Sequence, residues 1–312
     1  MPTKFPELTY ASPNDPRLKR WVIRAIEGLS GRRRFLPLYI YWRKHIVPTS
    51  SRVFGDMLDL IDASLEIDAR QWPPNLPPGM PLVIVANHPF GIGDGISILA
   101  LAEALGRPFK VLINNQLLRV PEIRPYSLAI DFDETREAMQ TNLETRKEAL
   151  RLLAGGTTII VFPAGGVATA KSPFGKAVDL PWKLFTAKLI QSARAAVLPI
   201  FFAGQNGPLF QIVSHLSLTL RLSLLVSEFR RFAGGTVRVR IGELVPFADL
   251  KHGQDRRLLT EELHALVHAL ERPDPERKRS RLRKVRVLAR RKVKGVGRFA
   301  RRKARKLKNL AG

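Results

Sequence analysis

The sequence predicts an α/β fold: a mixed, mostly parallel sheet flanked by helices, with a helical N-terminal region before it and a basic C-terminal tail after it. Three observations predict this class. Short apolar runs of strand length follow residue 81, helix-like segments separate them, and 45% of the residues are hydrophobic, which is sufficient for a globular core. Alternating strands and helices are typical of a sheet that is covered on both faces.

The N-terminal region, residues 1–80, has helical patterns with breaks. One helix is expected to begin at Pro16, and another pattern covers residues 52–63. The stretch QWPPNLPPGMP at 71–81 is rich in proline, which neither a helix nor a central strand tolerates. We therefore place the beginning of the main domain at residue 81.

The main domain is predicted over residues 81–272. Its expected strands are LVIVAN, KVLIN, SLAIDF, TIIVF, VLPIFF and TVRVRI. Its clearest helices are ETREAMQTNLETRKEALRLLAGG and a last helix at about 253–272. Because ligands of such sheets bind beyond the carboxyl ends of the strands, functional residues are expected there.

Composition excludes several kinds of site. The sequence has no Cys, so it cannot form disulfides, a thiolate metal site or a cysteine nucleophile, and this suits a reducing compartment. The first twenty residues contain no continuous apolar region, so we expect no signal peptide. No apolar stretch approaches the roughly 20 residues that a membrane-spanning helix needs, so an integral membrane protein is not expected.

The first chemical motif follows the strand LVIVA directly and has the sequence Asn-His-Pro-Phe-Gly-Ile-Gly-Asp-Gly at 87–95. Its glycines allow the backbone to fold back, which would bring His88 at the strand end to Asp94 six positions later. A histidine and an aspartate in this arrangement form a plausible catalytic base and its orienting acid. The alternative is that the two side chains only stabilise a tight turn.

The second motif follows the strand TTIIV and comprises Phe162, Pro163, Ala164, Gly165 and Gly166. A proline and two glycines at a strand end can present backbone N–H groups to an anion or to a developing oxyanion. By itself, the same pattern is also that of an ordinary turn.

Together, and in this order, the two motifs resemble the glycerolipid and lysophospholipid acyltransferase family, which includes 1-acylglycerol-3-phosphate acyltransferases. The similarity is greatest to the soluble, hemolysin-like branch, whose motif is N-H-P-x-G-x-x-D-G, because five residues rather than four separate His88 from Asp94. The family's F-P-E-G-T-R block corresponds to residues 162–167, which lack its acidic and basic residues. The segments at 110–121 and 197–200 also fit, so the resemblance extends over about residues 80–245.

The resemblance implies transfer of a fatty acyl group from acyl-CoA or acyl carrier protein to the hydroxyl of a lysophospholipid or related lysolipid, without a cofactor. The residues agree with this chemistry. An alcohol becomes a good nucleophile when a base removes its proton, and the neutral imidazole of His88 is suited to that near neutral pH. Asp94 would hold the useful tautomer and stabilise the imidazolium. The acceptor supplies the nucleophile, so no nucleophilic serine or cysteine is required.

Several basic and aromatic residues are candidates for substrate contacts. Lys110, Arg119 and Arg124 could bind an acceptor phosphate, or they could be solvated surface charges. Trp182 and Lys183 could line the entrance for the acyl donor, or they could be packing and surface residues.

The pair His264 and His268 has the four-residue spacing of two metal ligands on one helix face. The order of residues is not H-E-x-x-H, and no third ligand is evident, so we predict no metal site.

Residues 277–312 form a basic tail with 18 Lys or Arg and no Asp or Glu, which accounts for most of the formal net charge of +25. If the tail is helical, its apolar residues form one stripe flanked by basic residues, which is typical of binding to an anionic membrane surface. Nucleic acid is the rival partner, but Phe299 is the tail's only aromatic residue. We favour the membrane and expect a cytoplasmic protein that is peripheral on the inner face of the cell membrane.

Two alternatives remain from the sequence. The acceptor could be a non-phosphate aminolipid or glycerol 3-phosphate. Alternatively, the chain could be a catalytically silent lipid- or RNA-binding protein on the same fold, which the missing acidic residue in the second motif would favour, although the presence of both His88 and Asp94 argues against it.

Overall fold

A computed structural model of the chain describes residues 32–131, 135–215 and 218–272, and a few positions before them. The described positions that follow Pro16 are helical, namely Arg17, Arg20, Ile23 and Gly28. The chain divides into two units, Met1–Glu271 and Arg272–Gly312, and the described residues lie almost entirely in the first. The basic tail at 277–312 lies outside the described residues.

The N-terminal part contains helix α1 (Arg32–Tyr41), a π-helical turn (Trp42–Ile46), helix α2 (Val53–Leu60) and strand β1 (Ser64–Ala69). Helix α2 confirms the pattern predicted at 52–63. The prediction of a helical region is wrong at β1, whose sequence SLEIDA alternates polar and apolar residues in the manner of a half-buried strand. Since β1 pairs with the last strand, the expected boundary at residue 81 falls inside the first compact unit.

The other elements are strands interspersed with helices, as predicted. They are β2 (Leu82–Ala86), α3 (Ile92–Glu103), β3 (Phe109–Asn114), β4 (Ser127–Ile130), α4 (Arg136–Ala154), β5 (Thr158–Val161), β6 (Thr169–Ala170), β7 (Ala177–Val178), α5 (Leu184–Ala193), β8 (Ala196–Ala203), α6 (Pro208–Ser214), α7 (Leu218–Phe232), β9 (Thr236–Ile241) and α8 (Arg256–His268). Short 3-10 helices lie at Asn115–Arg119, Pro121–Tyr126 and Phe247–Asp249. All six predicted strands are present.

Seven strands form one sheet in the order β1-β9-β8-β2-β5-β3-β4. Only the pairing of β8 with β9 is antiparallel in this sheet, and all other neighbours are parallel. The predicted fold class, a mixed and mostly parallel sheet, is therefore confirmed. Strands β6 and β7 form a separate antiparallel hairpin.

Both faces of the sheet are covered. All five residues of the central strand β2 are buried, and they alternate between two apolar clusters, with Leu82, Ile84 and Ala86 in one and Val83 and Val85 in the other. The first cluster includes side chains of α1, α2 and α3, and the second includes side chains of α4, α5 and α8. This burial on both faces explains why the strand is a continuous apolar run.

Strands β2, β5 and β8 are parallel neighbours, so their carboxyl ends lie at the same edge of the sheet. Both chemical motifs begin at this edge, after β2 and after β5 respectively. Among the described residues, no helix has both the length and the apolar character that crossing a bilayer requires.

Candidate active site

The first strand exit, residues 87–94, links β2 to α3 and brings a histidine to an aspartate. Gly91, at the N-terminal end of α3, has φ +82°, a conformation that glycine adopts without steric cost. The resulting turn reverses the chain and places Asp94 in the first helical turn. The Nδ1 atom of His88 lies 3.0 Å from Oδ1 of Asp94, as the spacing of the motif predicts.

The carboxylate of Asp94 is held from a second side. Its other oxygen, Oδ2, accepts a hydrogen bond from the backbone N–H of Phe90 at 2.8 Å, and the side chain is fully buried. The N-terminal turn of a helix also favours a negative charge. Asp94 is thus a fixed acceptor that can orient the imidazole of His88.

Asn87 anchors the beginning of the same exit to the neighbouring strand β8. Its Nδ2 donates to the carbonyl of Phe202 at 3.0 Å, and its Oδ1 accepts from the N–H of the same residue at 2.7 Å. Where β2 ends, the Asn87 side chain therefore makes the two hydrogen bonds that a paired backbone residue would make in the sheet. This fixes the backbone immediately before His88.

Asp179 is a site residue that the sequence analysis did not identify. It follows β7, and its side chain is almost fully buried, with 1% exposed. Its carboxylate accepts from the backbone N–H of His88 at 3.2 Å and from Nε1 of Trp182 at 3.1 Å. No spacing pattern connects position 179 to position 88, so only the folded chain reveals this contact.

The pKa of His88 reflects opposing effects. Burial lowers the pKa of the imidazole because it disfavours the charged form. The negative charge and hydrogen bond of Asp94 raise this pKa, and the charge of Asp179 raises it further. The sum is a pKa above the ordinary value for histidine, so the surroundings of His88 favour its protonated form.

The second strand exit, residues 162–167, provides a wall beside His88. The ring of Phe162 packs against the imidazole in a tilted arrangement, with centroids 4.2 Å apart and an interplanar angle of 31°. The Gly165 N–H donates to the Phe162 carbonyl at 3.0 Å, and Lys183 donates its N–H to the Pro163 carbonyl at 2.9 Å. The amide of Gly165 is thus used within the turn, which differs from the expectation that it faces an anion.

Gly166, the fourth predicted residue of this exit, lies against the surface segment that follows β7. A Cβ atom at position 166 would lie 3.0 Å from Cδ1 of Leu180, so the site has little room for a side chain. The close approach gives this glycine a packing role.

Arg221, on α7, is a second residue that the sequence analysis missed. Its guanidinium donates a hydrogen bond to the carbonyl of Val167, and it lies 5.7 Å from the ring centre of Phe210. Its positive charge lowers the pKa of His88. Helix α7 was not predicted, and its contact with the second strand exit is a product of the tertiary fold.

The three basic residues that were predicted to bind substrate make contacts with residues other than His88. Lys110 is level with Val83, because both pair with Ile159 of β5, and its Nζ donates to the carbonyl of Pro125. Arg119 and Arg124 are exposed on the 3-10 helices, and Nε of Arg124 donates to the Leu118 carbonyl at 2.7 Å.

The structure brings together His88, Asp94 and Phe162 from the predicted set. It does not bring Lys110, Arg119 or Arg124 into contact with them within the described residues. The substrate roles of those three side chains stay predictions.

The rings of His264 and His268 pack against each other in a tilted arrangement, with centroids 4.1 Å apart, and both contact the ring of Trp182. Burial, followed by the charge of His268, lowers the pKa of His264. Nε2 of His268 lies 3.8 Å from Oδ2 of Asp179. In the part of the chain that the structure describes, no three potential ligand side chains are grouped to hold a metal ion.

The arrangement can accept a proton from a hydroxyl group. If Nδ1 of His88, 3.0 Å from Oδ1 of Asp94, carries the proton, the Nε2 atom has the free lone pair of the neutral imidazole. The His88 side chain is 18% exposed, so it is reachable from solvent at the edge of the sheet. The geometry is that of a histidine base oriented by a buried carboxylate.

The sequence is similar to those of known acyltransferases. The chain matches a protein-family model described as acyltransferase over residues 74–265. A lyso-glycine lipid O-acyltransferase of Phocaeicola vulgatus is 27% identical over 243 residues, which cover 69% of this chain and 81% of that protein. A protein of the same name from Bacteroides thetaiotaomicron is 27% identical over 204 residues, covering 61% and 69%.

Among solved structures, the chain resembles the 1-acyl-sn-glycerophosphate acyltransferase PlsC of Thermotoga maritima. The TM-score is 0.45 and the sequence identity is 19%, over 81% of this chain and 92% of that chain.

Proposed function

The chain belongs to the acyltransferase family, and from this premise we propose that it transfers a fatty acyl group from an acyl thioester to the hydroxyl of a lysolipid. The observation that carries the proposal is the 3.0 Å contact between Nδ1 of His88 and Oδ1 of the buried Asp94. An acceptor hydroxyl needs a base, and this pair supplies one at the edge of the sheet where ligands bind.

In the proposed reaction, Nε2 of His88 takes the proton of the acceptor hydroxyl as its oxygen attacks the thioester carbonyl. Asp94 keeps Nδ1 protonated and stabilises the imidazolium that forms. The tetrahedral intermediate then collapses, the carbon–sulfur bond breaks, and the imidazolium returns the proton to the leaving thiolate. The products are an ester and a free thiol, and His88 is neutral again.

The acceptor class that we propose is a lysolipid, and the relatives favour one with an aminolipid head group. The two relatives reported above are named for a lyso-glycine lipid. The resemblance to 1-acylglycerol-3-phosphate acyltransferases makes a phosphate head group the second candidate. Both acceptors present a free hydroxyl and an anion.

The test uses the purified full chain with each of two donors, acyl-CoA and acyl carrier protein, against a panel of lysolipids. The panel contains a glycine lysolipid, lysophosphatidic acid, glycerol 3-phosphate and a neutral monoacylglycerol. We expect labelled acyl groups to appear in at least one lysolipid, and His88→Ala to abolish the transfer. If no donor and acceptor pair reacts, while a lysolipid or RNA binds, the catalytically silent alternative is correct.

We propose, further, that the protein works at the inner face of the cell membrane and that the tail at 277–312 attaches it there. Its 18 basic residues would contribute about 1 kcal/mol each near an anionic lipid surface. A chain that ends at residue 276 should lose flotation with anionic vesicles and keep its activity on a short-chain, water-soluble acceptor. Equal flotation with and without the tail would refute this attachment, and tight binding to RNA but not vesicles would favour nucleic acid.

A further inference from the structure

Arg221 is a cation held close to the proposed base. One peptide unit connects them: the N–H of Ala168 donates to the carbonyl of His88 at 2.8 Å, and the carbonyl of Val167, in the same peptide unit, accepts from the guanidinium of Arg221. Because a peptide unit is rigid and only a few ångströms wide, Arg221 is held at a fixed short distance from the backbone of His88.

The charge of Arg221 is partly buried and incompletely balanced. Burial lowers the pKa of the guanidinium, although an arginine stays charged at neutral pH. Within the described residues, no carboxylate lies at ion-pair distance from Arg221, and its hydrogen bond to Val167 uses one of five N–H donors. A buried charge without an opposite charge is costly, so this position favours an incoming anion.

The acidic groups nearest the base are already engaged. Asp94 is fully buried against His88 and Phe90, and Asp179 accepts from His88 and Trp182. Residues 162–167 contain no basic side chain of their own. Arg221 therefore adds a positive charge beside the second strand exit.

We propose that Arg221 binds the anionic head group, carboxylate or phosphate, of the acyl acceptor and so selects anionic over neutral lysolipids. This inference rests on the proposed function, since it assigns the acceptor of that reaction. Because one peptide unit separates Arg221 from the backbone of His88, a head-group anion bound to Arg221 would lie near the proposed base. The planar guanidinium can bind either kind of anion through two parallel hydrogen bonds.

The experiment measures kcat/KM for three acceptors of equal chain length: a glycine lysolipid, lysophosphatidic acid and a neutral monoacylglycerol. In Arg221→Gln, the preference for each anionic acceptor over the neutral one should fall by about tenfold or more, mainly through KM, because a charged hydrogen bond is lost. The two anionic arms show whether the carboxylate or the phosphate is the natural partner. An unchanged preference for both anions would overturn the proposal.

Arg230→Gln is the matched control, because Arg230 is exposed in the last turn of the same helix and the substitution removes the same charge. It should leave the preference as in the parent protein. An equal fall in Arg230→Gln would mean that long-range charge, and not a binding site at Arg221, sets the preference.

A second variant covers the case in which Arg221→Gln does not fold, as judged by its thermal unfolding. Arg221→Lys keeps the charge but provides a point charge in place of the planar fork, so the anionic preference should fall only several-fold. A preference equal to that of the parent, in a folded Arg221→Lys, would contradict head-group recognition by the guanidinium.

Binding measurements separate this proposal from the proposed function. If the parent protein acylates none of the three lipids, the proposed function fails, but calorimetric binding of the same lipids below their micellar concentration still tests Arg221. Tighter binding of anionic lipids that is lost in Arg221→Gln supports the site, and equal binding of all three lipids refutes it.

Discussion

The first and second strand exits occupy equivalent places in the fold, but they present different chemical groups to the site. Each follows a parallel central strand and turns with the help of a glycine at positive φ, Gly91 or Gly165. The first exit continues into α3, so that its side chains converge on one another and His88 meets Asp94. The second exit closes on itself through a backbone hydrogen bond and presents a ring, Phe162, and the carbonyl of Val167.

The difference shows how a strand exit becomes a reactive site. Both exits lie at the carboxyl edge of the sheet, so their position does not explain why they differ. What separates them is the helix N-terminus, which fixes Asp94 in the first exit, and the use of polar backbone groups within the turn in the second. In the proposed reaction, the first exit performs the proton transfer and the second lies beside it.

The largest effect is expected from removing the base in the first exit. His88→Ala should lower kcat by about a thousandfold or more, since general base catalysis contributes 10²–10⁴, while the thermal unfolding midpoint changes little. His45→Ala removes an exposed histidine and should behave like the parent protein. Steady-state kinetics of matched preparations would measure both, and a parent-like rate for His88→Ala would contradict the proposed chemistry.

Asp94→Asn should have the second-largest effect, a rate loss of about a hundredfold or more, because the amide cannot hold the same tautomer of His88. Steady-state kinetics would measure this loss.

The pH dependence of Asp94→Asn gives a second readout, the acid limb of the pH–rate profile. The active base is neutral, so activity falls as pH drops through the raised pKa of His88. Removing the charge of Asp94 lowers that pKa, so the acid limb of Asp94→Asn should move to lower pH. A limb that stays in place would assign the titration to another group.

Asp179→Asn tests the contact between the Asp179 carboxylate and the backbone N–H of His88, which joins the first exit to the segment after β7. Asparagine keeps the size of the side chain and can still accept from the N–H of His88, but its charge is lost. We expect a rate loss of about tenfold or less and a smaller shift of the acid limb to lower pH than in Asp94→Asn, because Asp179 has the weaker effect on His88. A loss larger than that of Asp94→Asn would reverse the ranking of the two carboxylates.

The smallest effect on chemistry is expected in the second exit. Gly165 has φ +66°, so Gly165→Ala should lower the free energy of unfolding by about 1–2 kcal/mol, while kcat changes only a few-fold. Gly106→Ala is a control for this strain, because Gly106 has φ +63° on the surface and no atom within 4 Å of its Cβ position. Denaturant unfolding and kinetics would separate the effects, and loss of activity without loss of stability would give the second exit a chemical role.

The strands and the reactive pair could be predicted from local sequence. Each strand after residue 81 is a short apolar run between turn residues, and the interval from His88 to Asp94 contains the glycines that close it. Strand β1 was missed because its six alternating residues lie beside stronger helical patterns and before a proline-rich segment. Helices α6 and α7 were not predicted either, although both contribute side chains to one apolar cluster with Val167 of the second strand exit.

The sequence by itself determined the fold class, six of the seven strands of the main sheet and the pairing of His88 with Asp94, because all three depend on neighbours within a few residues. Only the tertiary structure decided that Asp179 and Arg221 join the site and that Lys110 does not contact it. Those placements depend on chain segments 91 and 54 residues apart meeting at one edge of the sheet, as in the bonds from His88 to Asp179 and from Arg221 to Val167. Such contacts are set by how helices and loops cover the sheet, and no local spacing records them.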